Sequence, residues 1–191
     1  MSGGMTRVGD WMITASGGRF WALDPRPEDV DFDDIAHALA HICRYGGHAN
    51  RFYSVAEHSV SMAAYFHTRG RVDLARWALL HDAAEAYCGD IVRPMKRSIV
   101  GYSEIETAVE VAIWEAAGFT ESHAIPPEVH EADAAILGDE ARALFGDGRL
   151  QRAGWMPPYG LGIHIEGWMP PLAAARFRDA LDNLFPGLCR P

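Results

Sequence analysis

Residues 77–94 read WALLHDAAEAYCGDIVRP, and this apolar helical stretch carries an adjacent histidine and aspartate, His81 and Asp82. Ionisable groups in a helix core are paired or ligate something, because burying an unpaired charge is costly. On a helix, His81 and Glu85 share a face, whereas Asp82 lies about 100° around the axis. An isolated His-Asp dipeptide is most often a pair on a solvent-facing helix edge, so the function of this one depends on partners elsewhere in the chain.

Helical patterns extend along the chain on both sides of this stretch. The segment DFDDIAHALAHIC places Ile35, Leu39 and Ile42 on one face, behind acidic residues suited to a helix N-terminus. Ser-x-x-Glu capping boxes at Ser54–Glu57 and Ser103–Glu106 predict two helices that begin at their serines.

Other start and stop signals complete the helical pattern. The helix that contains the His-Asp pair is expected to run from about residue 73 to residue 87 and to stop at Gly89. Pro126-Pro127 opens a further helix, and the tail PPLAAARFRDALDNLF predicts a final amphipathic one. Together these signals predict an all-α domain of about six helices.

The length of the chain, 191 residues, fits one domain over residues 1–191. Residues 1–30 are rich in Gly and Pro and predict an irregular segment, with a weak signal for a hairpin between residues 11–13 and 20–23. Residues 146–171 contain the pentapeptide GWMPP twice and predict a loop region, a lid or an oligomer contact.

Composition excludes several classes of protein. A net charge of -9 argues against a general nucleic-acid binder, although a small anionic substrate remains compatible with it. Cys43, Cys88 and Cys189 are scattered and odd in number, as expected in a reducing, cytoplasmic compartment. The start of the sequence has no charged-then-apolar signal pattern, and no apolar run approaches the roughly 20 residues that span a bilayer.

Two further segments supply candidate partners for the His-Asp pair. His58 lies in the first turn of the helix predicted to begin at Ser54, and Asp133 lies near the start of an apolar helical run. Together with His81 and Asp82, they form a set of two histidines and two aspartates from three helices. Such a mixed nitrogen and oxygen set suits a hard or borderline divalent ion.

The order His58, His81-Asp82, Asp133 resembles the H…HD…D signature of the HD-domain metal-dependent phosphohydrolases. The segments VAEHS, LLHDAAEAYCGDIVRPMK and EAD are similar to those of the bacterial 5'-deoxynucleotidases. The leading block FWALDPRPEDVDFDDIAHALAHICRYGGHANRFYSVAEHS resembles the phage and bacterial branch that includes dATP triphosphohydrolases. The resemblance covers residues 19–145 and places several motifs in the expected order.

This resemblance implies an HD-domain helical bundle that holds one divalent metal ion, either Zn, Co, Mn or Mg. His58, His81, Asp82 and Asp133 are then the metal ligands. The implied reaction is hydrolysis of a phosphate ester or anhydride of a nucleotide by a water that the ion activates. The family also implies a homodimer or a higher homo-oligomer.

Further roles follow from the matched motifs. Glu85 is expected to orient or deprotonate the water or to protonate a leaving oxygen, and Asp90 to contact the sugar or assist proton transfer. Arg44 aligns with a substrate-contacting arginine, and Lys96 is a second candidate, the alternative being a solvated loop charge. His48 follows two glycines that let backbone approach a ligand, and is a candidate phosphate contact or a loop histidine without a role.

The position after Arg44 departs from the family. The deoxynucleotidases carry a tryptophan there that helps to reject ribose, whereas this chain has Tyr45, also expected to bind substrate. Sugar and base preference therefore stay open, as does the choice between mono- and triphosphates, with a tilt toward triphosphates. The alternatives are a cyclic-nucleotide or guanosine-tetraphosphate hydrolase, or a catalytically silent HD domain that senses nucleotides.

Overall fold

The computed structural model describes residues 6–119 and 124–188; residues 1–5 of the predicted irregular segment and Cys189 lie outside these ranges. The described residues are mainly helical, which confirms the all-α prediction. A two-stranded antiparallel hairpin pairs Met12–Ile13 with Arg19–Phe20, as the weak signal indicated. The elements are β1 (Met12–Ile13), β2 (Arg19–Phe20), α1 (Phe32–His41), α2 (Val55–His67), α3 (Val72–Leu80), α4 (Glu85–Cys88), α5 (Arg93–Lys96), α6 (Tyr102–Ala116), α7 (Pro127–Phe145), α8 (Asp147–Arg152) and α9 (Pro170–Leu184).

The core forms where α9 packs across α1, α2 and α3. Ile35 and Leu39 of α1 are fully buried, as their spacing predicts, and Phe177 and Leu181 of α9 are fully buried in the same apolar cluster. Burial of this apolar surface is the main stabilising contribution to the bundle. Among the described helices, none combines the length and the apolar character that crossing a bilayer requires.

Helix α2 starts as predicted, but only half of its capping box forms in the expected way. The Ser54 hydroxyl accepts the backbone N–H of Glu57 at 3.1 Å. The Glu57 carboxylate is buried and accepts backbone N–H groups of the C-terminal segment, from Glu166 at 2.9 Å, Gly167 at 2.8 Å and Trp168. Glu57 therefore joins residues 166–168 to the start of the helix that carries His58.

The helix predicted over residues 73–87 is interrupted, so that prediction is wrong in its middle. Helix α3 ends at Leu80, and α4 begins at Glu85. Between them the backbone tightens: the Ala83 N–H donates to the Leu80 carbonyl at 3.2 Å, three residues back instead of four. The His81 ring lies 2.8 Å from the Ala78 carbonyl oxygen through Nδ1, so a side chain engages a carbonyl of the last α3 turn.

Two other sequence predictions need correction. Helix α6 begins at Tyr102 after a left-handed Gly101 with φ 81°, so Ser103 lies inside the helix and does not cap it. Its expected capping partner Glu106 lies 2.6 Å from the Nζ of Lys96 through Oε2.

The predicted loop region over residues 146–171 is not entirely a loop. It begins with α8, and α9 starts at Pro170 within its last residues. Residues 155–169 have no regular secondary structure, as predicted for the stretch between the two GWMPP copies.

Candidate metal centre

Four side chains from α2, from the turn after α3 and from α7 converge on one point, as the sequence predicts. The Nε2 atom of His58 lies 3.2 Å from Nε2 of His81 and 3.3 Å from Oδ1 of Asp133. Asp82 Oδ2 lies 3.3 Å from the His81 Nε2 and 3.6 Å from the His58 Nε2. Among the described residues, His58, His81 and Asp133 form a group that could hold a metal ion.

The hydrogen bonds of the two imidazoles determine which ring nitrogens face this point. His81 Nδ1 must donate, since its partner at 2.8 Å is the Ala78 carbonyl oxygen. His58 Nδ1 donates to the Glu140 carboxylate at 2.6 Å. Both rings therefore direct Nε2 at each other and at two carboxylates, so the point between them needs positive charge, which a proton on His58 or a bound metal ion supplies.

The ionisation of the site is consistent with a cation position. Burial and Arg44 act to lower the pKa of His58, but Glu140 and Asp133 outweigh them and raise it to about 9. Burial acts to raise the pKa of Asp133, but His58 holds it far below its usual value. In the metal-free protein a proton on His58 therefore supplies positive charge, and a metal ion has to displace that proton.

Two arginines hold the carboxylates of the site. Arg44 Nη1 lies 3.1 Å from Asp82 Oδ2, and Arg93 Nη2 lies 2.6 Å from Asp133 Oδ2. Burial opposes ionisation of Asp82, but His81, His58 and Arg44 keep its pKa well below the usual value. Both aspartates are therefore ionised and chemically ready to ligate a metal.

A cavity of about 390 Å³ opens beside the four side chains. Of the predicted site residues, those that line it are Arg44, Tyr45, His81, Asp82, Glu85, Asp90, Lys96 and Asp133. His58 is fully buried behind them. His48 is exposed and, in the described part of the chain, is not among the residues that line the cavity, so nothing in this geometry brings it to the site.

Glu85 and Asp90 have carboxyl groups whose pKa values are raised above the usual range. Burial, together with Asp82 and Asp90, raises the pKa of Glu85 to about 10. Burial likewise raises the pKa of Asp90. Glu85 is 8% exposed, and its Oε2 atom is buried without a hydrogen-bond partner among the described residues. An unpartnered buried polar atom is costly, so Glu85 is suited to meet a ligand in the cavity.

The predicted substrate residues are partly engaged with other side chains. Tyr45 has a left-handed backbone with φ 60°, and its hydroxyl donates to Glu140, while its ring packs edge-on against Phe145. Lys96 pairs with Glu106 at the cavity wall. These contacts place charge and hydroxyl groups around the cavity and keep them ordered.

Glu140 also belongs to the candidate site, and the sequence did not lead us to predict it. It is fully buried, and besides His58 it accepts the Tyr53 hydroxyl at 2.8 Å. Arg44 and His58 outweigh the effect of burial and lower its pKa to about 2. A signal was present in the sequence: Glu140 follows Asp133 by two helical turns and therefore shares its face of α7.

Comparisons with known proteins find sequence similarity to two uncharacterized bacterial proteins. No protein-family model matches it. It is 37% identical over 131 residues to the uncharacterized protein YfdR of Escherichia coli K12, an alignment that covers 69% of this chain and 70% of that protein. It is 39% identical over 109 residues to an uncharacterized protein of Rhodobacter capsulatus, covering 54% of this chain and 56% of that protein.

Proposed function

We propose that this chain, which belongs to the same family as the uncharacterized protein YfdR of Escherichia coli K12, is a divalent-metal-dependent phosphohydrolase of nucleotides. The observation that carries the proposal is the convergence of two imidazole Nε2 atoms and two ionised carboxylates beside a cavity. The resemblance of the motif order to the HD-domain phosphohydrolases supports the same function. When bound, a divalent ion lowers the pKa of water and offsets the charge that develops on phosphorus.

The charge state of each side chain at the cavity determines the role that we propose for it. Glu85 carries a proton near neutral pH and can donate it to an oxygen that leaves the phosphorus. Arg93 is an exposed cation that lines the cavity and pairs with Asp133. Lys96 is a second cation that lines the cavity. Guanidinium groups match phosphate oxygens in charge and geometry, so Arg93 and Arg44 are suited to hold a phosphate.

Nucleotides are the substrate class that the resemblance supports, and the product identifies the bond that is cleaved. A nucleoside monophosphate yields nucleoside and inorganic phosphate. A nucleoside triphosphate attacked at the phosphorus next to the sugar yields nucleoside and triphosphate. The homo-oligomer that the resemblance implies stays a separate prediction.

The test is a metal-supplemented substrate screen on the purified chain. The protein is treated with EDTA, reloaded with Mn²⁺, Co²⁺, Zn²⁺ or Mg²⁺, and incubated with NMP, dNMP, NTP and dNTP substrates, with products identified by mass. We expect metal-dependent turnover that EDTA abolishes. No turnover with any of the four ions contradicts the enzyme function and leaves a nucleotide-binding sensor, which equilibrium dialysis with labelled nucleotide then detects.

Two variants assign the turnover to the proposed site. Glu85→Gln removes the protonated carboxyl and is expected to lower kcat by about 10²–10⁴-fold, and Asp82→Asn is expected to reduce turnover to background. Asp73→Asn is the matched control, because Asp73 is an exposed aspartate on α3 whose partner is Arg71. Equal activity in the Asp82→Asn and Asp73→Asn preparations shows that the activity belongs to a contaminating phosphatase.

A further inference from the structure

We infer that Glu140 is a positioning residue that couples the metal ligand His58 to the segment carrying Arg44 and Tyr45; the inference rests on the metal centre of the proposed function. Glu140 lies fully buried on α7. Its Oε1 atom lies 2.6 Å from His58 Nδ1 and 2.8 Å from the Tyr53 hydroxyl. Its Oε2 atom accepts the Tyr45 hydroxyl and lies 3.7 Å from Arg44 Nη2.

The first half of the coupling concerns His58. A carboxylate that accepts the Nδ1–H bond fixes both the tautomer and the rotation of the ring. The Nε2 atom then faces the point on which His58, His81, Asp82 and Asp133 converge, here called the ligand point. The imidazole is fully buried, and its alternative orientations would leave a ring nitrogen without a partner. Glu140 therefore raises the affinity of His58 for a cation by fixing the orientation of the imidazole, and it does not contact the cation itself.

The second half concerns the segment 44–47. Tyr45 has a backbone φ of 60°, a conformation that side chains other than glycine rarely adopt. Two contacts hold it there: the hydroxyl bond to Glu140 and the edge-on contact with Phe145 at 5.2 Å between ring centroids. Its neighbour Arg44 then reaches Asp82 at 3.1 Å. One buried carboxylate thus orders both a metal ligand and the segment that lines the substrate cavity.

Glu140→Gln tests the first half, because it keeps the shape and an acceptor oxygen but removes the charge. The readout is the Kd for Mn²⁺ and for Zn²⁺ alone, measured by competition with a fluorescent chelator. We expect binding about 10–100-fold weaker than in the wild type, with the far-UV circular dichroism unchanged. Glu140→Asp is the second variant should the first not fold: it retains the charge but withdraws the carboxylate from His58, and weaker binding is expected again.

Glu57→Gln is the matched control. Glu57 is also a buried glutamate and precedes His58 directly, but its described partners are the backbone N–H groups of residues 166–168. We expect a lower Tm and an unchanged metal Kd. Wild-type affinity in both Glu140 variants, or an equal loss of affinity in Glu57→Gln, overturns the positioning role.

Tyr45→Phe tests the second half by removing only the hydroxyl that bonds Glu140. We expect the metal Kd to rise a few-fold and KM to rise more than kcat falls. A variant with wild-type Kd and wild-type KM overturns the coupling to segment 44–47. The proposed function fails separately: metal affinity that responds to Glu140→Gln, without turnover of any nucleotide, contradicts the enzyme and leaves this inference intact.

Discussion

The carboxyl groups in this cavity acquire opposite properties because their neighbours differ. Asp82 and Asp133 lie within ion-pair distance of imidazole and guanidinium groups, which keep them ionised. Burial and neighbouring carboxylates raise the pKa values of Glu85 and Asp90, that of Glu85 to about 10. Groups whose pKa values are pushed apart in one site take different roles, so the first pair is suited to ligate a cation and the second to exchange protons.

Glu110 on the cavity wall provides a pH-dependent prediction at this scale. Burial and Glu106 raise its pKa to about 7 against the effect of Lys96. A carboxyl group whose pKa is higher in the folded than in the unfolded chain contributes stability below about pH 4.5, and this contribution is lost as the pH rises to 7. We expect Glu110→Gln to remove this loss, so that its Tm relative to the wild type rises between pH 5 and pH 7.

Thermal melts of both proteins in the same buffers from pH 5 to pH 9 measure this difference. The metal-free protein is used, so that metal binding does not enter the comparison. A difference in Tm between the two proteins that stays constant across this pH range contradicts the raised pKa of Glu110. A change confined to pH values above 8 contradicts it as well, because the group has then already lost its proton.

Individual residues also show how far the sequence determines the candidate site. His58, His81, Asp82 and Asp133 could be placed together because each contacts the ligand point directly and sits in a recognisable motif. Glu140 acts through His58, and such a role depends on which buried groups share an acceptor in three dimensions. The left-handed backbone of Tyr45 has no local signal, because it is held by contacts with residues about a hundred positions away.

At the level of elements, local signals succeeded where no tertiary contact competed with them. The Ser54 cap forms because its hydroxyl needs only the N–H of Glu57. The Ser103 cap fails because Gly101 adopts a left-handed conformation and starts the helix earlier, and Glu106 pairs with Lys96. The predicted long helix over residues 73–87 is interrupted where the His81 ring contacts the Ala78 carbonyl. The spacing of apolar residues does not predict such a contact between a side chain and the backbone.

Gly138 in the middle of α7 provides a prediction about how elements pack. A Cβ atom at this position would lie 2.3 Å from the Pro158 carbonyl oxygen and 2.9 Å from the Gly160 nitrogen. Alanine would gain about 1 kcal/mol of helix propensity, but overpacking against backbone costs about 1–3 kcal/mol and cannot be relieved by a side-chain rotation. We expect Gly138→Ala to lower the free energy of unfolding in urea.

The matched control is Gly148→Ala in the short helix α8, where a Cβ atom would have nothing within 4 Å. We expect that variant to be neutral or slightly stabilised, since only helix propensity changes. Equal unfolding midpoints for the two variants would show that residues 158–160 do not pack against α7 as described. Asp139, which accepts the N–H groups of Leu161 and Ile163, fastens the same segment from the neighbouring position.

Across the whole molecule, the candidate site joins parts of the chain that are distant in sequence. His58 comes from α2, the His81-Asp82 pair from the turn after α3, and Asp133 from α7. Glu57 ties the C-terminal segment to the same end of α2. A cation bound at this point contacts three elements at once, so its binding free energy contributes directly to the stability of the folded chain.

Metal binding should therefore raise the melting temperature of the entire chain. A ligand that binds only the folded state at 100 times its Kd stabilises that state by about 2.7 kcal/mol. For a chain of this size each kcal/mol shifts Tm by about 2–4 °C, so we expect an increase of about 5–10 °C when Mn²⁺ or Zn²⁺ is added to EDTA-treated protein. Asp133→Asn removes one ligand and should abolish most of the shift, whereas Asp73→Asn should retain it. An equal shift in all three proteins would mean that the ion binds elsewhere on the acidic surface, and no shift in the wild type would contradict a metal centre formed by these residues.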